Sequence, residues 1–300
     1  MVRSIPWRDV LSIHLTLGVP APAPGRPADR TLCRGMDGDV WAAVRGFDEL
    51  ADDYDRTRPV CPPGLFDDLV AVTGLSPGDR VVEIGCGTGQ ATVPLAERGL
   101  SVTAVEVGSR LAAIARRRLV GFPEVEVVTG AFEDWKPDRP EFDAVAAFNS
   151  LHWVSPAARY ARPARLLRPG GSLLVASCRW ARPEDAERFW GDVQEDYRAV
   201  DYEGSPPPPP EAIETWHLPD EATAHFEEIA ARRYPFQVVY SAGDYLAILA
   251  TQSTTWLLGD ERRAEFIRRV RARLQPWPHV TATFVAQLTI GVLRADRNEA

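Results

Sequence analysis

From Arg80 onward, short apolar runs alternate with segments whose apolar positions recur every three to four residues. The runs RVVEI (80–84), SVTAVE (101–106), VEVVT (125–129), FDAVAAF (142–148) and GSLLVAS (171–177) are nearly continuous in apolar or β-branched residues. Such runs predict strands buried on both faces. ATVPLAERG (91–99) and SRLAAIARRRL (109–119) between them carry helical spacing. Strand and helix in alternation imply an α/β fold, a doubly wound and mostly parallel sheet with helices on both faces.

The alternation breaks after Ser177. A helical stretch runs from Pro183 to about Val200, followed by five prolines, Pro206 to Pro210, which favour a stiff polyproline II spacer. These features predict a helical, proline-rich lid inserted after the fifth strand, at about 180–228. Strand pattern returns in RYPFQVVYS (233–241) and HVTATFVAQLTIGVL (279–293), with helices from near Asp244 and from Asp260 to Leu274 between them. The sheet then closes at seven strands. In the arginine-rich helix ERRAEFIRRVRARL (261–274), Phe266, Val270 and Leu274 share one face, which leaves the arginines as a solvated face.

Ahead of the folded pattern, Pro20 to Gly38 is rich in Pro, Ala, Gly and Arg, with too little apolar content to repay ordering. Residues 1–38 are expected to be a flexible or misassigned extension, and residues 39–300 the folded domain. Met36, the second of two methionines, stands just before the folded pattern and is the expected true start of translation. The mildly apolar stretch Val10 to Val19 is interrupted by Ser12, His14 and Thr16 and lacks a small-residue cleavage site, so it is not read as a signal peptide. No apolar run approaches the roughly 20 residues that a membrane span needs.

A net charge of −8 argues against a nucleic-acid partner, because the phosphate backbone would be repelled. Cys33, Cys61, Cys86 and Cys178 match no metal-ligand spacing, so no metal is expected, and their scatter fits a reducing, cytoplasmic setting. The oligomeric state stays open.

The chemistry concentrates after the first strand. Gly85, Gly87 and Gly89 follow that strand and open a helix, where backbone without Cβ atoms lets a ligand approach. Their spacing is G-x-G-x-G, preceded by Glu83, and not the dinucleotide G-x-G-x-x-G. A carboxylate so close disfavours a pyrophosphate and suits a ligand bearing an ammonium and a sulfonium. Glu106 ends the second strand, where such folds hold a ribose by its hydroxyls.

On these residues the segment from about Phe47 to Arg294 resembles class I S-adenosylmethionine-dependent methyltransferases, with a Rossmann-like sheet, especially the trans-aconitate methyltransferase-like group acting on small molecules. Glu83-Ile-Gly-Cys86-Gly-Thr-Gly89 matches their first motif and Glu106 their ribose-binding acid. The resemblance implies S-adenosylmethionine as cofactor, with Val107 and Leu111 flanking the adenine. GAFEDW (130–135) falls where the group places an adenine-binding motif, with Ala131 standing where Asp is common and the Phe132 backbone left to make the contact. Phe132 and Trp135 fit core aromatics equally well. FDELADDYDRTRPVCPP (47–63) resembles the cover over the cofactor, with Tyr54 above the sulfonium and Arg58 on a cofactor or substrate carboxylate, or merely capping a helix. Cys61 stands where an aromatic is usual.

The fourth strand leads into Asn149, Ser150, His152 and Trp153, at the sheet end where α/β folds bind ligands. Asn149 is assigned to the cofactor and Trp153 to the acceptor. His152-Trp153 resembles a pair of that group, and His152 is the candidate catalytic base or a residue that only orients its loop. The strand end lacks the Asn/Asp-Pro-Pro-aromatic run of nucleobase and glutamine methylases, which favours a small molecule. By resemblance, Tyr245, Gln252 and Ser253 reach the substrate, with Tyr245 fitting the core equally well, and Arg179 is a further partner for an acid. The expected reaction is methyl transfer to an oxygen, a carboxylate or hydroxyl. A cofactor-binding protein without transfer, and a nicotinamide-dependent oxidoreductase, remain as alternatives.

Overall fold

Seven strands form one sheet in the order β3-β2-β1-β4-β5-β7-β6. They are β1 (Arg80–Ile84), β2 (Ser101–Glu106), β3 (Val125–Thr129), β4 (Phe142–Phe148), β5 (Leu167–Ala181), β6 (Phe226–Ser241) and β7 (His279–Leu293). The first five pair in parallel, and β7 runs antiparallel to both β5 and β6. This is the mostly parallel, seven-stranded α/β sheet that the pattern predicts. The computed structural model describes residues 45–183, 188–202 and 206–295. The expected extension 1–38 with its start at Met36, and residues 184–187 of the insertion helix, lie outside the described residues.

The period of two along each strand divides the core between the two faces. On one face Val81, Ala144, Ala146 and Leu174 pack under helical side chains, among them Leu65, Phe66 and Leu69 of the helix Pro63–Thr73. On the other face Val82, Ile84, Val145 and Leu173 meet Phe132, Tyr160 and Leu166. Phe66 and Leu69 are fully buried, and burial of such a side chain contributes about 1.5–3 kcal/mol. The helices that matter to the site are α1 (Ala51–Thr57), α2 (Pro63–Thr73), α3 (Thr92–Glu97), α4 (Ser109–Arg118), α5 (Arg188–Arg198), α6 (Ala242–Ala250), α7 (Ser253–Leu257) and α8 (Asp260–Arg273).

Two strand boundaries and the proline run differ from the expectation. β5 continues to Ala181, and β6 begins at Phe226 where the pattern placed its start at Arg233. Phe226–Arg232 reads FEEIAAR because β6 is an edge strand, and an edge tolerates charged side chains that a central strand would not. The five prolines do not form one spacer: Pro209 is in polyproline II geometry (φ −63°, ψ 155°), and Pro210–Ala212 turns into a 3-10 helix.

A third core unites α5, α6 and α8 against the ends of β6 and β7. Phe266, Val270 and Leu274 of the arginine-rich helix are buried in it as their spacing predicts. Its arginines are not all solvated. Arg273 Nη2 lies 3.1 Å from Asp196 Oδ1 and Arg269 Nε 3.3 Å from the same oxygen, and Asp196 is 2% exposed. The helical period of α5 turns Asp196 toward α8, where two guanidiniums compensate the burial of its charge.

Candidate active site

The loop after β1 is shaped by two glycines that no other residue replaces easily. Gly85 and Gly87 have φ of 64° and 59°. A Cβ on Gly85 would lie 2.8 Å from Ser150 Cβ, and one on Gly87 would lie 3.3 Å from the Tyr54 ring. Positive φ and close neighbours together demand the missing side chain. Gly89 instead sits against Leu119 and Arg118 at the end of α4.

Two buried carboxylates flank this loop. Glu83 Oε2 accepts the Thr92 hydroxyl at 2.7 Å, and the side chain is 1% exposed. Burial pushes its carboxyl up to about 7, against the Thr92 hydrogen bond, and Glu106 adds to the rise. Glu106 Oε2 accepts from Gly87 N at 2.8 Å and its Oε1 from Gly108 N at 2.7 Å. Burial raises this carboxyl too, although the two amides oppose the shift. Among the described residues no cation pairs with either carboxylate.

Two adjoining cavities open at the C-terminal ends of β1, β2, β4 and β5. The smaller, about 100 Å³, is lined by Gly87, Glu106, Val107, Leu111, Ala131 and Phe132 among others. The larger, about 480 Å³, is lined by Arg58, Glu83, Cys86, His152, Arg179, Tyr245, Gln252 and Ser253 among others. Tyr54, Gly85, Asn149 and Trp153 face both. Of the residues assigned from the sequence, Gly89 alone lines neither, since it serves the packing of the loop on α4.

The cover is held from two sides. Asp48 Oδ1 accepts from Arg110 N at 2.7 Å and Leu111 N at 3.1 Å, satisfying amides at the start of α4. Phe47 and Tyr54 lie seven residues apart on one helical face, with ring centroids at 5.8 Å, and Phe47 meets Trp153 edge-on at 5.8 Å. The Arg58 guanidinium stands 4.8 Å over the Tyr54 ring and donates through Nη2 to the Thr251 carbonyl. Its Nε is buried without a partner, as are Gln90 Nε2 and Gln252 Nε2. Burial raises the Tyr54 phenol, and Arg58 opposes it.

At the end of β4, Asn149 adopts φ 56°, a left-handed conformation that Asn tolerates better than most residues. Its Oδ1 accepts from Cys178 N at 2.7 Å, so the carboxamide oxygen ties β4 to β5. The assignment of Asn149 to the cofactor therefore narrows to what its remaining amide group reaches. His152 and Trp153 share a 3-10 turn, with ring centroids 4.7 Å apart. The Phe132 carbonyl accepts from Arg162 Nε at 2.8 Å, and Arg162 also covers the Phe132 ring. That carbonyl already has one donor, while Trp135 packs in the core against Phe142.

The far wall of the larger cavity was not read from the sequence. Trp180, Trp190, Tyr197, Tyr202 and Phe284 line it beside Arg179. Tyr245 is 1% exposed and meets Trp180 and Trp190 edge-on, so it is as much core as wall. Trp190 and Tyr197, seven residues apart on α5, were the available sign of one aromatic face. Among the described residues no group of His, Cys, Asp and Glu could hold a metal ion, and no helix is long and apolar enough to cross a membrane.

Residues 81–171 match the family described as "Methyltransferase domain". An uncharacterized methyltransferase of Mycobacterium tuberculosis is 36% identical over 127 residues, 42% of this chain and 49% of that protein. A demethylmenaquinone methyltransferase of Clavibacter sepedonicus is 34% identical over 143 residues, 46% of this chain and 57% of its own length. Trans-aconitate 2-methyltransferase of M. tuberculosis is 35% identical over 120 residues, 39% of this chain and 38% of its own. The chain thus spans about half the length of the curated relatives it matches. Among solved structures, a candidate type II methyltransferase of Anaeromyxobacter dehalogenans is similar, with a TM-score of 0.53, 22% identity and coverage of 78% of this chain and 97% of that one. It shows the fold.

Proposed function

We propose that this chain, whose residues 81–171 match a methyltransferase domain, transfers a methyl group from S-adenosylmethionine to an oxygen of a small molecule. The observation that carries the reading is the pair of buried carboxylates, Glu83 and Glu106, on either side of the glycine loop, which no cation among the described residues pairs with. Burying two charges without a cation is costly, and a ligand bearing an ammonium, a sulfonium and ribose hydroxyls offsets that cost.

The residues present fit this cofactor. Gly85 and Gly87 leave a cradle that a Cβ would fill, and the orphaned Nε of Arg58 suits a carboxylate. Glu83 would hold the ammonium and Glu106 the ribose, while Val107, Leu111 and Phe132 would enclose the adenine. Bound there, S-adenosylmethionine supplies a methyl group already activated on a sulfonium sulfur.

The chain's own task is then alignment and exclusion of water. Phe47, Tyr54 and Trp153 form an aromatic cover between the two cavities, which keeps water from the junction. His152 lines the larger cavity, where it accepts the proton of a hydroxyl acceptor. A carboxylate acceptor needs no base. A small molecule is supported by a strand end without the Asn/Asp-Pro-Pro-aromatic run and by a volume of about 480 Å³, within the usual range of ligand pockets.

Calorimetric titration of the folded protein with S-adenosylhomocysteine tests the reading. Saturable one-to-one binding is expected, and its absence would overturn it. His152→Ala should lower turnover of a hydroxyl acceptor at least about 100-fold, the lower end of what a positioned base contributes, and leave S-adenosylhomocysteine affinity within about twofold. Unchanged turnover would remove His152 from the mechanism.

A further inference from the structure

We infer that the methyl acceptor is a flat aromatic molecule carrying one negative charge, with its charge held by Arg179 and its ring against the aromatic wall of the larger cavity. The inference rests on the methyl-transfer reading and names the substrate class of that same site.

Arg179 is the cavity's uncommitted cation. The lining contains two guanidiniums, Arg58 and Arg179, and one carboxylate, Glu83. Arg58 donates to the Thr251 carbonyl and lies over the Phe47 and Tyr54 rings, and its remaining Nε is the one assigned above to the cofactor's carboxylate. Glu83 sits at the glycine loop and is bonded to Thr92. Arg179 projects from the end of β5 and is half-buried, and among the described residues no carboxylate lies within ion-pair distance of it. Elsewhere, part-buried arginines have partners, carboxylates for Arg98, Arg118 and Arg273 and backbone carbonyls for Arg159, Arg162 and Arg233. Burial alone, with no anion opposing it, lowers the Arg179 guanidinium from its ordinary value. A half-buried guanidinium facing a cavity is a site for an anion brought from outside, and its planar fork fits a carboxylate or a phenolate-like oxygen.

The surroundings specify the rest of the molecule. Trp180 and Phe284 have ring centroids 4.6 Å apart, Tyr197 and Tyr202 4.9 Å, and Trp190 joins them on the same cavity. Aromatic edges and faces recognise another ring better than an aliphatic chain of equal area. Arg179 and Trp180 are consecutive on β5 and so leave it on opposite faces, both reaching the cavity, and the Arg179 guanidinium satisfies one anionic group. The second and third carboxylates of a tricarboxylic acid would face indole and phenol rings without a partner, at a cost in desolvation.

The test uses the full chain and four probes: 2-naphthoate, its neutral analogue 2-naphthamide, cyclohexanecarboxylate and citrate. Binding is followed by quenching of tryptophan fluorescence and by calorimetry, with and without saturating S-adenosylhomocysteine. The expected result is that 2-naphthoate binds at least tenfold tighter than each of the others. Arg179→Gln should bring 2-naphthoate to the level of 2-naphthamide, and Arg179→Lys should restore part of the difference. Retained S-adenosylhomocysteine binding by both variants shows that they fold. Equal binding of 2-naphthoate and 2-naphthamide, an unaffected Arg179→Gln, equal binding of cyclohexanecarboxylate, tighter binding of citrate, or no binding of 2-naphthoate overturns the inference. Failure of S-adenosylhomocysteine to bind would instead sink the methyl-transfer reading, and the probe preferences measured without it still decide the acceptor class.

Discussion

Glu106→Ala is expected to weaken S-adenosylhomocysteine binding about 1000-fold. Glu106 lines the smaller cavity, and hydrogen bonds to a charged group contribute about 1.5–3 kcal/mol each. Two such bonds to ribose hydroxyls, partly replaced by water in the variant, leave a loss of about 4 kcal/mol. The same carboxylate accepts from Gly87 N and Gly108 N, so alanine also orphans two amides that fix the loop. Glu106→Gln separates the two roles, because its amide oxygen can serve one loop amide but the site loses the charge. Calorimetry should place Gln between wild type and Ala, and urea unfolding should show whether the fold has suffered. A loss below fivefold in the alanine variant would take Glu106 out of the cofactor site.

The sheet was legible because its central strands are buried on both faces and must be apolar almost throughout. RVVEI and FDAVAAF carry that requirement in plain view, with β1 flanked by β2 and β4. The start of β6 was not, because Glu227, Glu228 and Arg232 lie on an edge, where no neighbour penalises charge. The ion pairs of Arg269 and Arg273 with Asp196 were hidden for a related reason. Helical spacing shows which residues share a face, but not which other helix that face meets.

The site divides along the same line. Glu83, the glycine loop and Glu106 lie within 24 residues of one another in one strand–loop–helix–strand unit, so spacing alone places them together. The acceptor wall draws Arg179 and Trp180 from β5, Trp190 and Tyr197 from α5, and Phe284 from β7. Only the pairing of β5 with β7, which sets Trp180 opposite Phe284, and the docking of α5 beside them assemble it. Asn149 and Phe132 show the converse. Their positions at strand ends were readable, but their oxygens are committed to Cys178 N and Arg162, partners distant in the chain.

Glu83→Gln should stabilise the cofactor-free protein by about 3 kcal/mol at pH 8.5 and by nearly nothing at pH 4. Burial raises the folded-state carboxyl to about 7 from an ordinary value of 4.5. Below 4.5 it is protonated in both states and the fold is not penalised. Between 4.5 and 7 the unfolded chain ionises while the folded one keeps its proton, so stability falls as pH rises. Above 7 both are ionised, and the lost stability levels at about 3 kcal/mol. Gln keeps an acceptor for the Thr92 hydroxyl and carries no charge, so urea unfolding of the variant should lose this part of the pH dependence. Cofactor binding reverses the balance, because an ammonium beside Glu83 holds it ionised. Below pH 7 wild-type protein should therefore release a proton on binding S-adenosylhomocysteine. The calorimetric enthalpy at pH 6 should vary with the ionisation enthalpy of the buffer, and at pH 8.5 it should not. Glu106, itself raised by burial, should leave a smaller residual dependence in the Glu83→Gln protein. A wild-type enthalpy identical in all buffers at pH 6 would mean that the carboxylate next to the glycine loop does not meet the cofactor's cation.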